Sequence, residues 1–308
     1  MTLGDPTGIG PEIVAATLVA APREWRDRIV VYGDHGPIER GARAIGAQLP
    51  DFACIGDGVG EATTAGAPNE QAGAAQVGYL EAAVAAAMRG ELAAIVTAPI
   101  SKTWAKRAGL AFPGHTELLA ARFGARDVVM LFAGPRLKVA LATIHLPIAD
   151  VPRALTTSGL RRTIELVRES LVRDFAIAAP RIGVVGLNPH AGEGGLLGSE
   201  DRDVIAPALD VAGASGPLVP DAAFRDALHG SYDALVAMYH DQGLIPVKLI
   251  DFDQAVNVTL GLPIVRTSPD HGTAYDIAGK GIARATSMVC ALGLAIDMVA
   301  RRAAPTRA

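Results

Sequence analysis

Short runs of β-branched and aliphatic residues recur along the 308-residue chain, each followed by a turn and then by a segment of helical periodicity. The runs are continuously apolar rather than alternating, which is typical of strands covered on both faces. They predict strands at 29–32, 94–97, 139–145, 182–187, 234–239 and 264–267. Between them, apolar residues spaced three and four apart predict helices, most clearly at 71–89 and 160–171. This alternation predicts an α/β fold with mainly parallel sheets.

Charge and cysteine content exclude several classes of function. The formal net charge is −4, and no basic run of the kind that follows a nucleic-acid backbone is present. Cys54 and Cys290 lie in apolar surroundings, so a disulfide framework is not expected. No signal peptide or membrane-spanning segment is visible. We therefore expect a cytoplasmic protein with neither nucleic-acid nor membrane partners.

Five polar residues lie at or just after the ends of predicted strands: Lys102, His145, His190, His240 and Arg266. In open α/β sheets, ligands bind outside the carboxyl ends of the strands. The pattern predicts that these side chains line a common site.

Three of the seven histidines, His145, His190 and His240, sit in turns of small residues. Taken singly, each is better explained as a histidine hydrogen-bonded to the backbone. Taken together, they make a three-imidazole metal site an equally good interpretation, with Asp241 or Glu193 orienting a ring.

Two glycine-containing loops are candidates for binding a cofactor. The turn 4–13 leads from a strand into a helix, but neither it nor any other segment is a Rossmann G-x-G-x-x-G fingerprint. Taken alone, this turn indicates architecture rather than chemistry. The segment 270–281 carries three glycines, with His271 and Asp276 as an aromatic face and a ribose acceptor. A polar turn before a helix explains that segment equally well.

A third set of residues indicates an anionic ligand. The turn 112–117 opens a helix whose free N–H groups and hydroxyl favour an anion. Lys248 lies within the apolar run 244–250, and Arg266 lies inside a predicted strand, where each cation needs a partner. With Asn257, they suggest a substrate bearing phosphate or carboxylate, although a surface position would explain either cation alone.

Together these segments resemble the 4-hydroxythreonine-4-phosphate dehydrogenase family of vitamin B6 synthesis, in consistent order along the chain. Two of the loops also look like those of isocitrate and isopropylmalate dehydrogenases. The segments that carry the family resemblance are Gly4–Glu12, Thr97–Lys102, Gly114–Glu117, Asn188–Gly195, Tyr239–Gly243 and Val256–Gly281.

The resemblance implies two α/β/α domains with mainly parallel sheets and an active-site cleft between them. A cofactor-side domain would comprise 1–115 and 250–308. A metal, substrate and dimerisation domain would comprise 116–249. Only Met1, Thr2 and Leu3 precede the first turn, where family members carry a longer strand, so a natural start upstream of Met1 remains open.

Residue by residue, the resemblance assigns three kinds of site. His145, His190 and His240 match the family's metal ligands, in a site assembled at a homodimer interface. His115, Thr116, Lys248, Asn257 and Arg266 match substrate-binding positions. His271, Gly272, Asp276 and Gly279 would bind the adenosine end of NAD or NADP. Lys248 is also the candidate for catalytic proton transfer, because an ammonium in apolar surroundings has a lowered pKa, and a role as an anion anchor is equally open.

The implied reaction is oxidation of 4-phosphooxy-L-threonine by NAD(P), followed by decarboxylation to 3-amino-2-oxopropyl phosphate, in pyridoxal phosphate biosynthesis. One divalent ion per site, zinc, cobalt or magnesium, would assist. The alternatives are a dehydrogenase of D-threonate or D-erythronate 4-phosphate and, from another class, a phosphate acyltransferase-like enzyme. Relatives that oxidise a dihydrodiol of terephthalate fit less well, because a phosphorylated substrate would use the cationic residues present here.

Overall fold

The computed structural model describes residues 1–304, with the backbone alone at 210–212. These residues form two compact units. The first comprises Met1–Arg126 and Leu262–Val299, and the second comprises Asp127–Gly261 with the C-terminal stretch that begins at Ala300.

The first unit contains two pairs of parallel strands packed with helices. Its strands are β1 (Val30–Tyr32) paired with β2 (Ala53–Ile55), and β3 (Ala94–Val96) paired with β10 (Val265–Pro269). Its helices are α1 (Gly10–Ala20), α2 (Arg23–Arg26), α3 (His35–Ala44), α4 (Glu70–Met88), α5 (Lys102–Arg107) and α6 (His115–Phe123), together with most of α12 (Thr286–Ala303).

Local sequence signals explain where these helices begin. Pro11 lies in the first turn of α1, where its missing N–H costs no helical hydrogen bond. The side chain of Asn69 caps α4 by accepting a hydrogen bond from the backbone N–H of Ala72 at 2.8 Å. Helix α6 ends at Gly124, which adopts the left-handed conformation that glycine allows.

In the second unit, six hydrogen-bonded strands follow one another in the order β9, β4, β5, β8, β6, β7. Only β4 runs against the others, pairing antiparallel with both β9 and β5, and its Val129 stands opposite Leu260 of β9. These strands are β4 (Val129–Ala133), β5 (Lys138–Leu141), β6 (Ile182–Val185), β7 (Ser215–Leu218), β8 (Ala234–Ala237) and β9 (Val256–Leu260).

Helices pack on this sheet around a buried aliphatic core that includes Val139, Leu235 and Val247. They are α7 (Val151–Ala154), α8 (Thr157–Arg173), α9 (Ala206–Ala212), α10 (Pro220–Leu228) and α11 (His240–Asp251). Short 3₁₀ and π-helical turns lie at Ile148–Asp150 and Asp201–Ile205. Among the described residues, no helix has both the length and the apolarity that a membrane crossing requires.

The predicted α/β class with mainly parallel strands is confirmed. The strand predicted at 139–145 ends instead at Leu141, because the chain turns there and His145 has a positive φ of 35°. Sequence patterns missed β2, β4, β7 and β9. Strand β7 contains Gly216 and Pro217, which weaken any strand signal.

The unit boundaries differ from the expected division at 115/116 and 249/250. Helix α6 stays with the first unit, where Arg122 pairs with Glu81 of α4 at 2.6 Å. Strand β9 stays with the second unit, because it pairs with β4. The C-terminal stretch also joins the second unit, where Arg302 contacts the buried Asp174 at 2.7 Å. The cofactor and dimerisation roles expected of the two parts remain predictions.

Candidate functional site

A buried guanidinium marks the first candidate site, which lies in the first unit. Arg266 is the second residue of β10 rather than a residue at its end, and only 3% of it is exposed. Its Nη2 donates to Thr97 Oγ1 at 2.9 Å. Burial lowers the pKa of Arg266 to about 10, and the nearby Glu117 carboxylate acts in the opposite direction. At neutral pH this side chain is a buried cation, which is favourable only where an anion can face it.

His115, the first residue of α6, lies beside this cation. Its N-cap residue Gly114 offers no side chain, so the first turn of the helix is not capped from within. Burial lowers the pKa of His115 well below its ordinary value, and the positive charges of Arg266 and Lys102 lower it further. The imidazole is therefore neutral at pH 7, and its buried Nε2 has no hydrogen-bond partner within residues 1–304.

Thr116 and Lys102 complete the surroundings of His115. Thr116 is buried in the first turn of α6. A β-carbon added to Gly114 would lie 3.6 Å from Lys102 Cε and 3.4 Å from Glu117 Oε2, so both side chains flank the helix start. An uncapped helix start, two cations and an unpartnered ring nitrogen together are features that suit an anion. We call His115, Thr116 and Arg266 the anion pocket.

The second candidate site lies in the second unit, where two of the predicted metal ligands meet. Parallel pairing of β5 with β8 sets Leu141 beside Ala237, so the segments that follow both strands emerge side by side. His145 and His240 follow them, with ring centroids 5.8 Å apart. Both line a cavity of about 520 Å³ together with Thr143, Ile148 and Tyr239. His240 Nδ1 lies 2.7 Å from Asp241 Oδ1, so Nε2 is the ring atom that could face a metal ion.

The third predicted ligand, His190, stands on an unusual loop after β6. Residues 190–195 all have positive φ, between 42° and 108°, and form a left-handed turn. Such backbone costs roughly 1–2 kcal/mol for each residue that carries a β-carbon. Glycine takes it freely, but His190, Ala191 and Glu193 do not. The side chain of His190 is 67% exposed, and its Nδ1 lies 2.6 Å from Glu193 Oε1.

These donors suit a divalent transition-metal ion in kind. The Nδ1 atoms of His190 and His240 face carboxylates, the usual orientation of metal-binding imidazoles. Within residues 1–304, however, no three histidine, cysteine or acidic side chains are grouped closely enough to hold an ion. Within the described residues, two imidazoles lie together without a third protein donor of this kind beside them. That the three histidines share an ion therefore stays a prediction.

Two further predicted substrate residues, Lys248 and Asn257, lie in the second unit. The expectation that Lys248 sits in apolar surroundings is wrong. The run 244–250 is part of α11, whose Leu244 and Val247 face the core while Lys248 and Leu249 are exposed. The apolar run therefore does not bury Lys248, and the expectation of a buried ammonium is corrected. Asn257 lies on β9, and its buried Oδ1 has no partner within the described residues.

The predicted cofactor loop, which carries His271, Gly272, Asp276 and Gly279, runs between β10 and α12 in irregular backbone. All four residues are exposed.

Two buried carboxylates fasten this loop to the turn 4–12. Glu12 accepts hydrogen bonds from the N–H groups of Gly279 and Gly281, the latter at 3.2 Å. Asp5 accepts one from the hydroxyl of Tyr275 at 2.6 Å, and burial together with this bond raises the pKa of Tyr275 to about 12. Sequence reasoning assigned the turn 4–12 to architecture. It missed the attachment because the partners lie about 270 residues apart.

Comparison with known proteins identifies the family of this chain. The family model described as pyridoxal phosphate biosynthetic protein PdxA matches residues 26–295. The 4-hydroxythreonine-4-phosphate dehydrogenase of Geobacter metallireducens is 47% identical over 320 residues, covering 97% of this chain and 94% of the relative.

Solved structures give the same result. A crystal structure of a 4-hydroxythreonine-4-phosphate dehydrogenase from Burkholderia phymatum is 38% identical with a TM-score of 0.81, covering 96% of each chain. A terephthalate 1,2-cis-dihydrodiol dehydrogenase from Burkholderia xenovorans has 32% identity and a TM-score of 0.66, with the same coverage. The predicted resemblance is confirmed: the chain belongs to the PdxA family of pyridoxal phosphate biosynthetic proteins.

Proposed function

We propose that this protein is an NAD(P)-dependent, divalent-metal-assisted dehydrogenase that oxidises 4-phosphooxy-L-threonine and releases carbon dioxide to give 3-amino-2-oxopropyl phosphate. Relatives named for this activity match nearly the whole chain. The single observation that carries the proposal is the anion pocket, where a neutral His115 with a free ring nitrogen stands beside the buried Arg266. The negative charge of a phosphorylated substrate complements the cationic side of this pocket.

The chemistry breaks three bonds of the substrate: C3–H and O–H in the oxidation, and then C1–C2 in the decarboxylation. The C3–H bond yields a hydride to the nicotinamide, and the hydroxyl proton is released as the ketone forms. The resulting β-keto acid then loses carbon dioxide, and the electron pair left on carbon takes up a proton. A bound divalent cation would act as a Lewis acid toward the C3 oxygen.

The protein's own residues bind and orient this substrate. Arg266 and the first turn of α6 would hold one anionic group, with His115 Nε2 as a further hydrogen-bonding atom. For Lys248, which is exposed on α11, we propose that it anchors an anionic group of the substrate. The loop of His271, Gly272, Asp276 and Gly279 would take the adenosine end of the dinucleotide.

We further propose that the active form is a homodimer in which His190 completes the metal site of a second copy. The apolar residues around the histidines support this. Leu196, six residues after His190, is 83% exposed, and Ile148, which lines the cavity of His145 and His240, is 65% exposed. Exposed apolar side chains of this size are typical of an interface. With His145 and His240 already paired, one imidazole from another copy gives the three-ligand set of a catalytic site.

The test is to measure turnover of 4-phosphooxy-L-threonine by the purified protein. Absorbance of the reduced nicotinamide and release of carbon dioxide are the readouts, with NAD and NADP in separate assays. His190→Ala should abolish turnover and bound metal, whereas His229→Ala, an exposed histidine on α10's C-terminal side, should change neither. Oxidation of D-erythronate 4-phosphate without oxidation of 4-phosphooxy-L-threonine would overturn the substrate. Full activity after removal of metal would overturn the assignment of the histidines.

A further inference from the structure

A buried carboxylate outside the predicted site controls the segment that leads into His190. Asp201 begins the π-helical turn after the histidine loop and is only 2% exposed. Its Oδ1 accepts from the backbone N–H of Leu187 at 2.8 Å, and its Oδ2 accepts from the backbone N–H of Asn188 at 3.0 Å. The side-chain amide of Asn188 also donates to Oδ2, at 2.9 Å. Both oxygens are thus engaged by the two residues that precede Pro189 and His190.

The same carboxylate packs against the inside of the left-handed turn. A β-carbon on Gly192 would lie 3.3 Å from Asp201 Oδ2, so the middle of the turn rests on this side chain. Beyond it, the N–H of Leu197 donates to the carbonyl of Gly192 at 3.1 Å. The loop therefore meets Asp201 both before and after His190.

Backbone of this handedness needs such support. His190, Ala191 and Glu193 have β-carbons that disfavour positive φ, so the isolated segment would not hold the conformation. An ionised carboxylate can accept hydrogen bonds at several lone pairs and fixes the segment 187–188 relative to the π-helical turn. The turn itself is tied to α8, because Thr157 Oγ1 donates to the carbonyl of Val204 at 3.1 Å.

We propose that Asp201 is a positioning residue that holds the loop 187–198 in its left-handed conformation and so sets His190 for metal binding. The proposal rests on the ligand role of His190 put forward above. Asp201 acts through hydrogen bonds to the loop rather than by contact with the ion, since N–H donors occupy both of its oxygens.

The experiment uses the full-length protein and measures its affinity for Zn²⁺ by competition with a chelating dye. Asp201→Asn keeps the shape of the side chain but replaces one acceptor oxygen with an NH₂ group. That group cannot accept a hydrogen bond, so at least one N–H group of the loop loses its partner. We expect Zn²⁺ to bind at least about tenfold more weakly, as when outer-shell partners of metal ligands are lost. The backbone amide of Asn188 should exchange its hydrogen faster, and the dissociation constant for NAD should not change.

Asp203→Asn is the matched control. Asp203 lies two residues further along the same π-helical turn, but it is exposed and its side chain pairs with the neighbouring Arg202. This variant should bind Zn²⁺ as the parent protein does.

A second variant disturbs the same contact without changing the carboxylate. In Gly186→Ala, the new β-carbon would lie 2.7 Å from Asp201 Oδ1 and 2.9 Å from Ala191 Cα. We expect weaker Zn²⁺ binding here too, and this variant decides the question if Asp201→Asn fails to fold.

His190→Ala separates the two proposals. If it leaves Zn²⁺ affinity unchanged, the ligand role itself is wrong. If it weakens Zn²⁺ binding while Asp201→Asn and Gly186→Ala behave like Asp203→Asn, then the loop holds its shape without Asp201 and the inference is overturned.

Discussion

The two candidate sites of this protein differ in how complete they are within one chain. The anion pocket is buried and its polar atoms are fixed by the secondary structure around them, with Arg266 in a strand and His115 at a helix start. In the histidine site, the imidazoles of His145 and His240 lie together. His190 stands on a separate loop with its side chain exposed.

The difference teaches that the two proposed ligands make different demands. A small anion suits a buried pocket, whereas a metal site shared between two copies would need its imidazoles on the surface. Burying a cation is costly, so a guanidinium at this depth suits a small anionic ligand. Exposed imidazoles keep their hydration, so they carry little desolvation cost. Four predictions test this contrast.

The largest effect is expected from Arg266→Gln. Loss of the buried cation should lower kcat/KM for 4-phosphooxy-L-threonine by about 100- to 1000-fold, since truncating a charged hydrogen-bonding partner costs several kcal/mol. Steady-state kinetics and titration with inorganic phosphate measure it. Arg107→Gln, an exposed arginine on α5, is the control. Unchanged phosphate binding in Arg266→Gln would show that the anion pocket lies elsewhere.

Dilution should separate the two sites. If His190 is supplied by a second copy, Zn²⁺ affinity should fall by at least about 100-fold once the protein dissociates into monomers, because a ligand is lost. Phosphate affinity per chain should stay the same, because His115, Thr116 and Arg266 belong to one unit. Sedimentation together with metal competition across a concentration series measures both. Zn²⁺ binding that is independent of protein concentration would contradict the two-copy site.

Asp174 offers a way to destabilise the second unit without touching its histidines. Burial raises the pKa of Asp174, but hydrogen bonds from Arg173 and Arg302 outweigh this effect and bring the pKa down to about 2. The folded-state pKa is below the unfolded value, so the stabilisation is present above about pH 4 and is lost as the pH falls toward 2. Asp174→Asn should therefore lower the free energy of unfolding by about 2 kcal/mol at pH 7 and flatten its acid dependence.

Chemical denaturation at pH 7 and pH 3 measures that change, with Asp226→Asn, a surface residue paired with Arg225, as control. Zn²⁺ affinity should be unaffected in folded Asp174→Asn. A parallel loss of metal binding would mean that the histidine site depends on the stability of the whole unit rather than on its own loop.

The smallest effect concerns the cofactor loop. Glu12→Gln removes the charge that holds the N–H groups of Gly279 and Gly281, so the loop should become less well ordered. We expect KM for NAD to rise about tenfold with little change in kcat, equivalent to about 1.4 kcal/mol. Glu39→Gln, on the exposed face of α3, is the control. A lowered kcat with an unchanged KM would place the role of Glu12 in the chemistry instead.

Sequence patterns predicted what depends on local periodicity and on the general layout of parallel sheets. The continuous apolar runs gave the α/β class, and the turn 112–117 marked the start of α6. The proximity of His145 and His240 follows from one rule, that neighbouring parallel strands present their carboxyl ends together.

Features set by tertiary contacts could not be predicted in this way. Lys248 is surrounded by apolar residues in sequence, yet helical geometry places it on the outer face of α11. Glu12 and Asp201 look like ordinary acidic residues, because their hydrogen-bond partners become known only when distant segments meet. The left-handed turn at His190 contains three residues whose own preferences oppose it, so no local signal could have indicated it.

The pairing of β4 with β9 has a consequence for how this protein could have been assembled. The long segment of the second unit begins two residues before Val129 and ends one residue after Leu260. Val129 and Leu260 stand opposite each other where β4 pairs with β9. The chain therefore enters and leaves this segment at adjacent positions, as in a domain inserted into a host chain. Segments closed in this manner can be exchanged between related chains with little disturbance to the recipient, which offers an evolutionary route for altering the second unit while the first is kept.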